Sequence, residues 1–132
     1  MRDTVRDTVT LWTTHEPFSG YKSRTIAWRL LPAIDNGRIR VYYRGDLCIG
    51  FVTWAWFFEK EFDTMEFSGA EVFARDDGDM IYLMDAIIPY GRSDVRHVTR
   101  DMRQHLSELY PDKPAAFAHM KGRKRRWSRS LR

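Results

Sequence analysis

The sequence predicts an α+β fold, and three observations carry that prediction. The middle of the chain holds β-rich segments joined by tight turns. A strand-like run then passes through a glycine-containing turn into a long amphipathic helix, and an apolar run returns after it as a last strand.

Val9 to Trp12 and Thr25 to Leu31 are the apolar parts of the first third, and Pro17, Ser19 and Gly20 break the chain between them, so two short helices are expected there. Asp35-Asn36-Gly37 is a turn signal. After it, Ile39, Val41 and Tyr43 alternate with basic or polar residues across Arg38 to Arg44, the pattern of a strand. Gly45-Asp46 turns the chain into Leu47 to Phe58, a β-branched and aromatic run that reads as a mostly buried strand or pair of strands and completes a hairpin. Residues 59–70 are acidic and irregular. Ala70 to Ala74 and Met80 to Pro89 are two further strand candidates around Arg75-Asp76-Asp77-Gly78-Asp79, which predicts a second hairpin. Beyond Pro89-Tyr90-Gly91, Ser93 is placed to cap a helix from about Asp94 to Leu109. Its Val95, Val98, Met102, Leu106 and Leu109 recur at spacings of 3, 4, 4 and 3 and so form one apolar stripe. Pro111 and Pro114 end that helix, and Ala115 to Met120 is the expected last strand.

A chain of 132 residues, 43% hydrophobic and 14% aromatic, supports one compact core rather than two. The single cysteine, Cys48, excludes an intramolecular disulfide framework and a cysteine-based zinc site, which fits a reducing compartment. Charges at Arg2, Asp3, Arg6 and Asp7 interrupt any signal-peptide core, and no run is long enough to span a bilayer, so a cytoplasmic protein is expected. The net charge of +4 is uneven: the last twelve residues hold seven Lys or Arg and no acid. The chain therefore divides into a domain over residues 1–120 and a basic tail over 121–132, expected to lack order.

Three segments, in order, carry a resemblance: Leu31-Pro32-Ala33-Ile34, Gly50-Phe51-Val52-Thr53-Trp54-Ala55, and Asp85-Ala86-Ile87-Ile88-Pro89-Tyr90-Gly91. Together they resemble the toxin-activating lysine acyltransferases, which fatty-acylate internal lysines of RTX pore-forming toxins. The resemblance runs from about Leu11 to Met120. It implies a fold similar to GNAT acetyltransferases, a mixed and mostly antiparallel sheet with flanking helices. It also implies an acyl group delivered on acyl carrier protein, no tightly bound cofactor, a lysine-containing target protein, and an essential His and Asp. Asp85 falls in its motif. The family's histidine aligns at or near Ser19, and the nearby histidine is His15, four residues away and on the same face if a helix spans both. Two departures, the early end of the chain and His119 where an arginine is expected, leave the target open and fit a short member encoded by a phage or mobile element.

The chemistry asks for such a pair. A free lysine, with a pKa near 10.4, is almost wholly protonated at neutral pH, so transfer from a thioester needs a general base. An imidazole suits that role, and a carboxylate can hold its tautomer. His15 with Asp85 is the expected catalytic dyad, and a carboxylate inside the apolar run Ile81 to Ile88 is costly to bury unless paired or used. Cys48, inside an apolar run, reads as a packed thiol rather than a nucleophile. His97, Asp101 and His105 have the spacing of metal ligands but lie largely off the apolar stripe, so no metal site is expected.

Tyr90-Gly91-Arg92-Ser93 sits where coenzyme-A-dependent acetyltransferases present a glycine-rich loop. Its single glycine weighs against coenzyme A and toward a carrier-protein donor. Arg92, Arg96, Arg100 and Arg103 project from one side of the long helix, where an acidic carrier protein can dock or where they simply form a solvated face. The basic tail with Trp127 offers a weaker nucleic-acid reading. Two competing functions stand beside the acyltransferase: an inert binding module of the same fold, and an acetyltransferase using acetyl coenzyme A. A homodimer is compatible with any of them.

Overall fold

The computed structural model describes residues 3–16, 18–58, 69–111, 114–118 and 124–130. Helix α1 (Thr4–Thr14) and a 3₁₀ turn (Phe18–Gly20) lead into α2 (Ser23–Asp35), followed by β1 (Ile39–Arg44) and β2 (Leu47–Phe57). Then come α3 (Gly69–Ala74), β3 (Met80–Ile87), α4 (Arg92–Leu109), β4 (Pro114–Ala118) and β5 (Lys124–Ser130). The sheet order is β1-β2-β3-β4-β5. All neighbours are antiparallel except β3 and β4, which run parallel because α4 carries the chain back across the sheet between them. This is the α+β fold that the pattern predicts, with the mostly antiparallel sheet and flanking helices that the resemblance implies.

Helix α1 starts where Asp3 accepts the Arg6 N–H at 3.0 Å, and it stops at His15, whose backbone is extended. The turn before β1 needs Gly37, which sits at φ 67. Strand β2 is buried on both faces, which is why its sequence is an almost unbroken apolar run. Val52, Trp54 and Trp56 face α4 and pack with Val98, Met102 and Leu106. Phe51 faces α1 and α2, in a cluster with Leu11, Trp12, Ile26 and Leu30. Ala55 and Phe57, on that same side, meet Ala33 of α2 and Val72 and Phe73 of α3.

Four expectations need correction. Ala70 to Ala74 is part of a helix, not a strand: Val72 and Phe73 are both fully buried in one cluster, whereas adjacent strand residues would point to opposite faces. There is consequently no second hairpin, and β3 pairs with β2 instead. Ser93 does not cap α4; Gly91, at φ 117, holds that position without a side-chain bond. The stripe on α4 is shorter than its sequence, with Val98, Met102 and Leu106 buried but Val95 42% and Leu109 49% exposed. Asp94 takes the inward place in the first turn, paired to Arg44 of β1 at 2.8 Å. Finally, where a tail without order was expected, Lys124–Ser130 runs as the edge strand against β4. Residues 59–68 and His119 lie outside the described residues.

The turn into β3 passes close to the end of β2. A Cβ added at Gly78 would stand 2.7 Å from the Phe57 carbonyl oxygen, a backbone atom that also accepts the Asp79 N–H at 2.8 Å. Gly78→Ala is expected to lower stability by about 1–3 kcal/mol, the usual cost of overpacking. A chemical denaturation midpoint equal to wild type would show that this turn yields freely.

Candidate active site

Asp85 owes its position to a one-residue irregularity in β3. Thr53 of β2 pairs with Asp85, but the next residue, Trp54, pairs with Leu83, so Met84 is an extra residue in the β3 strand. Strand parity changes there. Tyr82 and Met84 face the α2–α3 side, and Ile87 faces the α1–α2 side of the same sheet surface. Without the bulge, Asp85 would alternate onto the α4 face; with it, the carboxylate turns toward α2.

There it meets Arg29. The guanidinium Nη2 lies 2.9 Å from one carboxylate oxygen and Nε donates to the other at 3.0 Å, while Nη2 also reaches the Met84 carbonyl at 3.4 Å. Arg29 thus grips both the acid and the bulged residue beside it. It projects from α2 next to the buried positions Ile26, Leu30 and Ala33. From below, the Asp85 N–H donates to the hydroxyl of fully buried Thr53 at 3.1 Å. The Asp85 side chain is 13% exposed and that of Arg29 36%. Burial pushes the Asp85 carboxyl above the usual carboxylate range, and Arg29 pulls against that shift.

His15 ends α1. Its Nδ1 lies 3.0 Å from the Leu11 carbonyl and 3.1 Å from the Thr14 hydroxyl. A carbonyl only accepts, so the Leu11 contact puts the proton on Nδ1 and leaves Nε2 with the lone pair. The ring stands edge-on to Tyr90 with centroids 5.2 Å apart, in the turn that follows β3. Among the described residues no hydrogen bond joins His15 to Asp85: the orienting groups are a backbone carbonyl for the histidine and Arg29 for the acid. Ser19 does not share a helix with His15, because the chain leaves α1 at that point. Its N–H still bonds the His15 carbonyl at 3.0 Å, and its hydroxyl donates to Glu16 at 2.5 Å.

The other singled-out residues lie elsewhere. Arg92, Arg96, Arg100 and Arg103 are all exposed on α4, on the side away from its buried residues. His97, Asp101 and His105 face β1 and its neighbours instead of converging on one point. His97 packs edge-on against Tyr42, and His105 against Trp54. Asp101 accepts from Arg40 at 2.7 Å and from the Tyr42 hydroxyl at 2.6 Å. Cys48 is buried, and burial pushes its thiol upward, away from the reactive thiolate.

The contacts of His105 make stability depend on pH. Burial, with the charge of Arg40 whose Nη1 stands 3.2 Å from Nδ1, holds its pKa below the ordinary histidine value. A histidine depressed in the folded state contributes stability above its unfolded pKa, near 6.5, and that contribution is lost as pH falls toward the folded value. The melting temperature is therefore expected to drop between about pH 7 and 5, with a shallower slope in His105→Gln, which keeps an acceptor for Arg40 but cannot titrate. Parallel slopes would remove His105 from the account.

The family model described as HlyC, RTX toxin acyltransferase family, matches residues 5–129, which is most of the chain. No curated protein matches it.

Proposed function

The chain belongs to the RTX toxin acyltransferase family, and from that premise we propose that it moves an acyl group from acyl carrier protein to an internal lysine of a target protein. The observation that carries the reading is the bulge that turns Asp85 out of the strand alternation and into the grip of Arg29. An acid held by a bidentate arginine on an otherwise apolar strand fits a site better than a core.

In this reading the lysine nitrogen attacks the thioester carbonyl carbon, a C–N bond forms, the C–S bond breaks, and the carrier's thiol leaves with a proton. His15, with its Nδ1 proton directed at the Leu11 carbonyl, offers Nε2 as the base that takes the amine proton. Asp85 uses the lone pairs that Arg29 leaves open to hold the cationic acceptor. The exposed face of Arg92, Arg96, Arg100 and Arg103 is the docking surface for the acidic carrier, which brings its own acyl group, so no bound cofactor is needed.

The test is direct. The protein is incubated with acyl carrier protein thioesters and a lysine acceptor, and both free carrier thiol and acylated lysine are measured. Turnover is expected, and His15→Ala should reduce it by about 10²- to 10⁴-fold, the range of a lost general base, at unchanged melting temperature. No acyl transfer from any thioester donor would leave the inert binding module in its place.

A further inference from the structure

Arg29 brings a fixed positive charge to the place where the reaction needs a lysine to give up a proton. Its guanidinium lies on both oxygens of Asp85, at 2.9 and 3.0 Å, and Nη2 is held again by the Met84 carbonyl at 3.4 Å. Asp85 is the less exposed of the two, so what reaches the carboxylate from water passes along the guanidinium. An ionised carboxylate has about four lone-pair sites and the arginine fork takes two of them, which leaves room for an amine beside Arg29. Two cations then share one anion.

Sharing decides which form of the amine is favoured. A buried, ionised Asp85 on its own would hold an ammonium group and keep the proton on it. Paired with Arg29 the carboxylate carries no net charge, and a like charge within about 4–6 Å disfavours the ammonium and favours the neutral amine. A cation placed next to a lysine is a general means of making that lysine nucleophilic. Around the pair, α1 contributes His15 and Glu16, the turn after β3 contributes Tyr90, β3 contributes Tyr82, and the Glu71–Arg75 ion pair lies at α3. Among the described residues, Arg29 is the charged group that acts on the Asp85 carboxylate.

We propose that Arg29 activates the acceptor: its charge, fixed against Asp85, drives the bound lysine toward its neutral, nucleophilic form. The inference rests on the acyl transfer proposed above. The ammonium gives one proton to His15 Nε2, which passes it to water. The neutral nitrogen then attacks the thioester carbonyl carbon, and its one surplus proton leaves with the carrier's thiol as the C–S bond breaks.

Steady-state transfer by the full chain from an acyl carrier protein thioester tests the proposal. The acceptors are a single-lysine peptide and the same peptide with an aminooxy group, neutral at pH 7, in place of the lysine amine. In Arg29→Gln, kcat with lysine should fall at least about tenfold, the change in neutral amine that one pH unit makes. KM for the peptide should stay level or fall, because the unopposed carboxylate holds the ammonium more tightly. With the aminooxy peptide, kcat should stay within about threefold of wild type, since that nitrogen has no proton to shed. Arg29→Lys keeps the charge without the fork and should bring lysine transfer back to within about fivefold of wild type. Circular dichroism at the assay temperature checks that each variant is folded. Equal losses with the two peptides, or an Arg29→Lys protein as slow as Arg29→Gln, would make Arg29 a structural partner of Asp85 and overturn the proposal. So would an unchanged kcat with a lower KM, the mark of an arginine that only competes with the acceptor. Those outcomes leave acyl transfer itself standing, whereas a wild-type chain that acylates neither peptide removes both readings.

Discussion

Met102→Asp is expected to abolish folding. The Met102 side chain is 2% exposed and lies against Trp54, Trp56, Ile81, Val98 and Leu106, where α4 meets the sheet. Burying an unpaired charge costs several kcal/mol, a large part of the about 5–15 kcal/mol that holds a domain of this size together. Circular dichroism should show the loss of both helix and strand signal. The contrast on the same helix is as informative. Leu109→Asp, at the half-exposed end of the nominal stripe, should change stability by only about 0.5 kcal/mol, as surface substitutions do. Val95→Asp should be tolerated too, because an acid in the first turn also favours the helix dipole. A folded Met102→Asp protein with an unchanged melting temperature would mean that α4 packs through another face.

The order of elements was legible because each local period is a direct consequence of what the element buries. The sequence of strand β1 alternates, with Ile39, Val41 and Tyr43 on the α1–α2 side and Tyr42 on the α4 side, β2 is apolar on both faces, and the core of α4, Val98, Met102 and Leu106, repeats at four. What escaped depends on non-local geometry. Val72 and Phe73 are two adjacent apolar residues in a six-residue element, too short for its period to separate helix from strand. Val95 and Leu109, at the two ends of α4, keep the helical spacing but stay about half exposed, so the spacing alone did not mark where the buried stripe stops. The bulge at Met84 inserts one residue and changes faces without altering the apolar character of β3, so Asp85 was recognisable as costly but its partner was not. Arg29 lies 56 residues away in sequence, inside a helix that was expected. Its one sequence signal is a base between positions destined for the core, Ile26 and Leu30, on an otherwise amphipathic helix. The helix end at His15 depends on backbone torsions that the segment's composition does not specify, which is why the shared face with Ser19 was not realised.

The Asp85–Arg29 pair should behave asymmetrically when taken apart. Burial raises the Asp85 pKa even against Arg29, so the ionised form is the costly one in the folded protein. The sign of the linkage follows: the stability associated with this group is fully present below its unfolded pKa, near 3.9, and is lost as pH rises through the raised folded value. Asp85→Asn removes that buried charge. Arg29, a third open to water, can turn outward, so stability at neutral pH should hold or rise slightly. Arg29→Gln does the reverse, leaving a buried carboxylate without its cation. It should cost about 1–2 kcal/mol, a buried-pair value discounted for the exposure of the guanidinium, and the loss should shrink on acidification as Asp85 takes a proton. The double variant Asp85→Asn/Arg29→Gln should recover most of that stability. Acyl transfer should not follow the same pattern: Asp85→Asn and the double variant should both fall by at least about 10²-fold, whatever their melting temperatures. A structural pair would instead lose activity only in proportion to folding. Transfer that survives in Asp85→Asn would place the reaction elsewhere, and a melting temperature that collapses in Asp85→Asn would make the Arg29 contact a strut of the fold.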